Sequence, residues 1–401
     1  MPAPTRSLTL DAVNQFIDEQ VFAPAGAGTV GIELEWFPPP RSTPDSLRSL
    51  LPDPLPGGSA VTFEPGGQLE LSGPPQQGIA NACTRMRTDT AAARAALATH
   101  GIELEGIGLD PRGARPRVLD SPRYRAMEEY FDTRWPLGRT MMRNTAAVQV
   151  NLDMGTTPDA VNTRWNRAHE IGPTLAAAFA NSPFDALGRA TGWRSARLAV
   201  WAAIDPSRTG AANRRGATAA SSYTAYALDA PVMMISVSPA HSVGLRATIP
   251  FSRWIDDGHE LGWPTLDDLA YHLTTLFPPV RPRGWLELRM IDALQEEWWP
   301  VAVAVTAALL DDPAASDEAA DAVAPVRDSW TAAARDALAV PALHVAAERC
   351  FEAALDAFDR LDVDAETLHA TEAFHDRYVV RGRCPADDRL DNQAAHASTV
   401  A

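Results

Sequence analysis

The sequence predicts an α+β protein. Runs with two-residue alternation of apolar and polar side chains are interspersed with runs of helical periodicity. They rarely alternate strictly as strand, helix, strand, which argues against a doubly wound parallel sheet. Apolar residues make up 46% and charged residues 21% of the 401 positions, as in a globular chain with a sizeable core.

The elements follow in order. Residues 9–21 read as a short amphipathic helix capped by Ser7 or Thr9. Residues 29–37, TVGIELEWF, alternate apolar and acidic side chains and read as a strand. A proline-rich loop covers 38–59. Residues 60–72, AVTFEPGGQLELS, read as a strand, a Pro-Gly-Gly turn and a second strand. Residues 76–100 form a helix that stops near His100-Gly101. Another strand is expected at 102–109, a helix at 121–131 and a strand at 145–153. Helix dominates 159–181. Residues 191–222, rich in Arg, Gly, Ser and Ala, read mostly as loop, with a mobile lid at 207–222. Residues 223–238 combine a helical turn and a strand. A helix over 265–276 is capped by Thr265 with Asp268 three residues on. Residues 284–290, GWLELRM, are a strand. The part from 296 to 380 is mostly alanine-rich helix, broken by an acidic loop at 311–325, and 381–401 form a loose tail. One domain over 1–401 is expected, without internal repeats.

Composition excludes several chemistries. The net charge of −16 argues against sequence-independent nucleic-acid binding. All 35 basic residues are arginine, so Schiff-base, pyridoxal-phosphate and P-loop lysines are ruled out. Any phosphate must be held by arginine, metal ions or backbone amides. Cys83, Cys350 and Cys384 lack metal-ligand spacing, and their odd number fits a reducing cytoplasm. The opening residues do not read as a signal peptide, and the apolar run 301–310 is too short to span a bilayer. A cytoplasmic protein without membrane association is expected.

Four strands carry a chemical face. Alternation places Glu33 with Glu35, Gln68 with Glu70, Gln149 with Asn151 and Asp153, and Glu287 with Trp285 and Arg289. Glu64 precedes a turn that brings it near Glu70. A solvated face would explain any one strand. The set is different, because it is almost entirely Glu, Gln and Asn. If the strands are neighbours, each carboxylate pair at about 4 Å costs about 4 kcal/mol at an effective dielectric of about 20. Such a cluster needs cations or raised pKa values. Oxygen ligands suit Mg²⁺ or Mn²⁺, and five glutamates suggest more than one ion shared with a polyphosphate. Arg289, among these glutamates, suits bidentate capture of a substrate carboxylate. Arg197 and Arg208 are candidate phosphate contacts. Arg123 and Arg125 flank Tyr124. Tyr223, Tyr226, Trp298 and Trp299 would line a small-molecule pocket or simply pack the core. His100, His241 and His272 read as structural.

The segments GIELEWF, FEPGGQLELSG, IGLDPR, RYRAM, MMRNTAAVQVNLD, FANSPF, RLAVWAAIDPSRTG, YALDAPVMM and LELR resemble those of glutamate–cysteine ligases, in the branch that includes the plant enzymes. They run in family order from residue 31 to about 290. The resemblance implies a fold like the catalytic domain of glutamine synthetase, a curved antiparallel β-sheet funnel with surrounding helices. It implies metal ligation by Glu33, Glu35, Glu64, Glu70 and Glu287, with Gln149 where another branch has histidine. Glu33, Glu35 and Arg289 would be catalytic, and Arg289 would hold glutamate. Arg125, Tyr226 and Trp298 would complete the substrate side. Arg197, Arg208, Asn151 and Gln149 would face ATP. Two or more Mg²⁺ ions are implied, with ATP as co-substrate and glutamate and cysteine joined through γ-glutamyl phosphate. The segment after LELR, MIDALQEEWWP, departs from the family pattern and leaves the cysteine pocket undefined. A ligase with another amine acceptor and a catalytically silent Mg-nucleotide binder are the alternatives. The short chain resembles the stand-alone actinobacterial enzyme, which favours ergothioneine over glutathione biosynthesis. No feature fixes the oligomeric state, and a monomer is the working expectation.

Overall fold

The computed structural model describes residues 8–134, 136–214, 216–238, 241–245 and 248–400. Its strands are β1 (Thr29–Trp36), β2 (Ala60–Phe63), β3 (Leu69–Ser72), β4 (Gln76–Gln77), β5 (Ala147–Asp153), β6 (Met234–Ser238), β7 (His241–Gly244), β8 (Val280–Pro282) and β9 (Trp285–Asp292). The main sheet has the order β2-β3-β1-β5-β9-β8, with β4 on the start of β1, and every pairing is antiparallel. Strands β6 and β7 form a separate hairpin.

One sheet face is apolar because the alternation makes it so. Ile32, Leu34 and Trp36 of β1, Leu69 and Leu71 of β3, Val148, Val150 and Leu152 of β5, and Leu286, Leu288 and Met290 of β9 are all buried. Helices Ile79–Ala98, Pro158–Ala178 and Trp299–Asp311 pack on these strands. Each fully buried side chain of this size contributes about 1.5–3 kcal/mol, so this face anchors the sheet. The polar face is left for chemistry.

The α+β class holds, but the curved funnel does not. The sheet is open: β2 and β8 end it and do not pair with each other. Strands β1, β5 and β9 have seven or eight residues, whereas β2, β3 and β8 have four, four and three. Flanks this short give too little ladder for the sheet to curl and close on itself.

Other differences have local causes. Residues 102–109 make only isolated bridges, Phe37 to Glu105 and Leu109 to Thr145. The stretch 191–222 holds helices Ala196–Ala203 and Pro206–Thr209 and the start of Ala219–Asp229. Ser195 and Thr218, which look like loop residues in the sequence, are N-caps there. Of the segment read as a lid, residue 215 lies outside the described residues. The acidic stretch 311–325 is mostly helix Pro313–Val323, started by Asp312 as cap and Pro313 in the first turn. The proline-rich loop contains helix Pro44–Leu50, closed by a capping box between Thr43 and Ser46. The tail forms helix Pro385–Val400, tied down where Arg389 donates to Asn181 Oδ1 (2.6 Å) and the Gly106 carbonyl (2.7 Å). At the other end Thr9 caps Leu10–Phe16, and Ser7 lies outside the described residues.

Candidate active site

Strand register gathers the acidic residues. Glu35 lies opposite Glu70, Glu33 opposite Gln149, and Glu287 opposite Asn151. The turn after β2 adds Glu64, whose N–H donates to the Gln68 carbonyl (2.9 Å) and whose carbonyl accepts from Gly67 N–H (2.8 Å). Gly67 has φ +82°, and a Cβ on Gly66 would sit 2.0 Å from the Arg143 carbonyl oxygen. The Pro-Gly-Gly sequence is therefore required for this turn.

Glutamate oxygens of Glu35, Glu64 and Glu70 lie within 4.8 Å of one another. Glu35 accepts from Ala147 N–H and Gln149 Nε2, both at 2.9 Å. Glu33 accepts from Asn151 Nδ2 (3.0 Å), and Glu70 from Thr62 Oγ1 (2.7 Å) and Ser72 Oγ (2.9 Å). These bonds aim the carboxylates into a cavity of about 280 Å³. The cavity is also lined by Arg123, Arg197, Arg281, Arg283 and Arg289, and by Tyr124, Trp201 and Phe277.

The glutamates of the cluster do not share one electrostatic environment. Burial, then the Glu287 and Glu70 charges, pushes Glu33 up to about 7. Burial, then Glu70, pushes Glu64 up to about 7. Burial, then Glu64 and Glu70, raises Glu35 well above the usual carboxylate range. Glu287 behaves differently. Burial would raise it, but the Arg289 and Arg281 guanidiniums outweigh burial and hold it below the ordinary range. Arg289 Nη1 donates to Glu287 Oε2 (2.8 Å) and also to Gln149 Oε1. Arg281 Nη2 donates to Glu287 Oε1 (2.8 Å), and Arg283 Nη1 reaches the same oxygen at 3.2 Å.

The structure therefore brings Glu33, Glu35, Glu64, Glu70, Gln149, Arg197 and Arg289 onto one cavity, with Asn151 and Glu287 bonded behind it. Arg197 donates to the Arg289 carbonyl (2.6 Å) and lies 3.5 Å from Asp292.

Four candidates lie elsewhere. Arg208 is fully buried and donates to Asp205, the Thr275 carbonyl (2.9 Å), Tyr130 Oη (2.9 Å) and the Pro231 carbonyl (2.6 Å). Its own carbonyl accepts from Phe277 N–H (2.7 Å), so it braces a cavity-lining residue. Arg125 pairs with Asp120 (2.7 Å) off the cavity, where its neighbour Arg123 takes the place expected of it. Tyr226 stacks on Tyr223 in the core, and Trp298 packs on Phe374 and Tyr378.

Sequence reasoning missed Arg281, Arg283, Trp201 and Phe277. A signal existed for the first two: their alternation in VRPRGW runs directly into the LELR strand. Among the described histidines, His272 Nε2 donates to the Ala227 carbonyl (2.9 Å) and burial pushes its pKa down to about 3, a structural role.

The profile of glutamate-cysteine ligase family 2 matches residues 29–400. The chain belongs to this family. It is 41% identical over 401 residues to glutamate–cysteine ligase EgtA of Mycobacterium tuberculosis (strain H37Rv), covering 96% of this chain and 90% of the relative. The enzyme of the same name from Mycolicibacterium smegmatis is 41% identical over 387 residues, covering 93% and 89%. The chloroplastic glutamate–cysteine ligase of Arabidopsis thaliana is 31% identical over 290 residues, covering 70% and 54%. A solved structure, a bifunctional glutathione synthetase from Pasteurella multocida, superposes with a TM-score of 0.51 at 13% identity. It covers 96% of this chain and 51% of that one, and it speaks to the fold alone. Membership bears out the resemblance drawn from the motifs, and with it an ATP-dependent carbon–nitrogen ligase. Among the described residues, no helix is long and apolar enough to cross a membrane.

Proposed function

We propose that the protein joins the γ-carboxylate of L-glutamate to the amine of L-cysteine, converting ATP to ADP and phosphate. The observation that carries this reading is the single cavity lined by both clustered carboxylates and arginines. A hard divalent cation fits the carboxylate cluster. Glu35, Glu64 and Glu70 present converging oxygens, and burial with repulsion from neighbouring carboxylates disfavours the charges of Glu35 and Glu64. These three would hold one Mg²⁺, and Glu33, with Gln149 and Glu287 nearby, would serve a second. Bound there, Mg²⁺ supplies charge neutralisation of the triphosphate.

The chain's own residues supply binding, orientation and exclusion of water. Arg289 would grip the glutamate α-carboxylate, held in place by Gln149 and by Arg197 at its carbonyl. The γ-carboxylate oxygen attacks the terminal phosphorus, and ADP leaves. The cysteine nitrogen then attacks the γ-carbonyl carbon and phosphate leaves with the transferred oxygen, while the amine gives up a proton. Positioning does most of this work. Tyr124, Trp201 and Phe277 would keep water from the acyl phosphate. No enzyme nucleophile is required. The chain has no lysine, and burial pushes the Cys83 and Cys350 thiols up to about 12.

We place the product in ergothioneine biosynthesis, ahead of glutathione, in a reducing cytoplasm. The mycobacterial relatives match along nine-tenths of their length, while the plant enzyme matches over about half of its own. The test is phosphate release from Mg-ATP with glutamate and cysteine together against either alone, with γ-glutamylcysteine identified by mass. Release that ignores cysteine, or that responds better to another amine, would overturn the assignment.

A further inference from the structure

We propose that Arg281 and Arg283 are the nucleotide-phosphate contacts of this site, and that Glu287 competes with the phosphates for them. The proposal rests on the ligase reading and replaces Arg208, which is fully buried and committed to four partners.

Three observations carry it. The first is charge. Arg281, Arg283 and Arg289 all reach the one Glu287 carboxylate, at 2.6, 3.2 and 2.8 Å. One bidentate guanidinium satisfies a carboxylate, so Glu287 cannot saturate the donors of three. Phosphate oxygens would take the donors left over.

The second is placement. Arg281 sits opposite Glu287 on edge strand β8, where Pro282 after it favours extended backbone, and Arg283 stands in the bend that leads to β9. Arg283 is half exposed and lies 5.1 Å from the Trp285 ring centre, itself partly exposed. Arg283 is thus the solvent-facing arginine of the cavity lining, whereas Arg197 is buried.

The third is elimination among the cavity arginines. Arg197 is engaged by Asp292 and the Arg289 carbonyl, and Arg123 by the Thr274 hydroxyl and carbonyl. Arg289 is bound to Gln149 as well as Glu287.

Exchange follows from the geometry. As phosphate oxygens take the donors of Arg281 and Arg283, the Glu287 carboxylate is released toward the cation cluster. Nucleotide and cation should therefore bind cooperatively, and Glu287 should oppose nucleotide binding when no cation is supplied.

The experiment is calorimetric titration of the full chain with ADP, in Mg²⁺ and in EDTA. Arg281→Ala and Arg283→Ala should each weaken Mg-ADP binding about tenfold, the scale of a lost charge-assisted contact. Glu287→Gln should strengthen metal-free ADP binding several-fold and weaken the gain from Mg²⁺. Glu287→Asp, which retracts the carboxylate, should move both in the same direction by less, and it stands in if the Gln variant does not fold. Arginine variants that bind Mg-ADP within twofold of wild type, or Glu287 variants with unchanged or weaker metal-free binding, would overturn the proposal. A wild-type chain that binds no nucleotide would instead overturn the ligase reading itself.

Discussion

Glu64→Gln should stabilise the protein in the presence of a chelator at alkaline pH. Glu64 is half-buried at the cavity, and its pKa rises from 4.5 to about 7, first through burial and then through Glu70. An acid with a raised folded pKa favours folding in its neutral form. Its favourable contribution is present at low pH and is lost as pH rises from about 4.5 through about 7. At about 1.4 kcal/mol per pH unit, ionised Glu64 costs the fold about 3 kcal/mol above pH 8. Gln has the same shape and no charge, so it removes that cost. At about 2.1 cal/mol/K per residue, the 401-residue chain has an unfolding entropy of about 0.8 kcal/mol/K, so Tm should rise by about 4 °C at pH 8.5. The advantage should shrink to nothing near pH 4.5. Differential scanning calorimetry in EDTA across pH 4.5–8.5 measures it. Magnesium should raise the wild-type Tm and raise that of the variant less. A variant that is less stable than wild type at pH 8.5, or whose advantage does not change with pH, would refute the electrostatic reasoning.

Three other substitutions separate the roles of site residues. Glu35→Gln should abolish metal-dependent turnover, by at least about a hundredfold in kcat, while circular dichroism stays native; near-normal kcat would remove Glu35 from the cation cluster. Arg289→Ala should mainly raise the KM for glutamate, by about tenfold or more, leaving nucleotide affinity close to wild type. An unchanged KM would detach Arg289 from the substrate carboxylate. Gly66→Ala should lower stability by several kcal/mol, because the new Cβ would meet the Arg143 carbonyl at 2.0 Å. A melting temperature within a degree of wild type would show that the turn relaxes freely.

The strands of the candidate site were legible because a strand states its own faces. Glu33 and Glu35, and Glu287 and Arg289, needed only two-residue alternation to be grouped. Their convergence was not local information. It depends on Glu35 meeting Glu70 and Glu33 meeting Gln149 across ladders that join distant segments. Buried arginines were harder. Arg208 looked like a phosphate contact in a lysine-free chain, yet its partner Asp205 stands three residues earlier and could have signalled a local ion pair. Tyr226 and Trp298 failed for another reason: an aromatic side chain suits a core and a binding pocket equally. The funnel came from the family resemblance alone, and strand lengths of three and four residues could not be read from motif spacing.

The acidic wall explains why the opposite face of the sheet is so apolar. Glu35 and Glu70 are direct cross-strand partners, an arrangement that destabilises a ladder when both are charged. Glu33 and Glu64 add to the repulsion. A sheet with such a face would separate without strong opposition. That opposition comes from Leu34, Trp36, Leu69 and Leu71 on the same strands, all nearly or fully buried. At about 1.5–3 kcal/mol for each side chain, these four outweigh the repulsion of one ionised glutamate pair. The fold thus tolerates carboxylates that disfavour one another, and a cation bound between them gains whatever repulsion it relieves. Affinity for the ion and instability without it are two readings of the same charge arrangement. Substitutions that neutralise the wall should therefore trade one for the other.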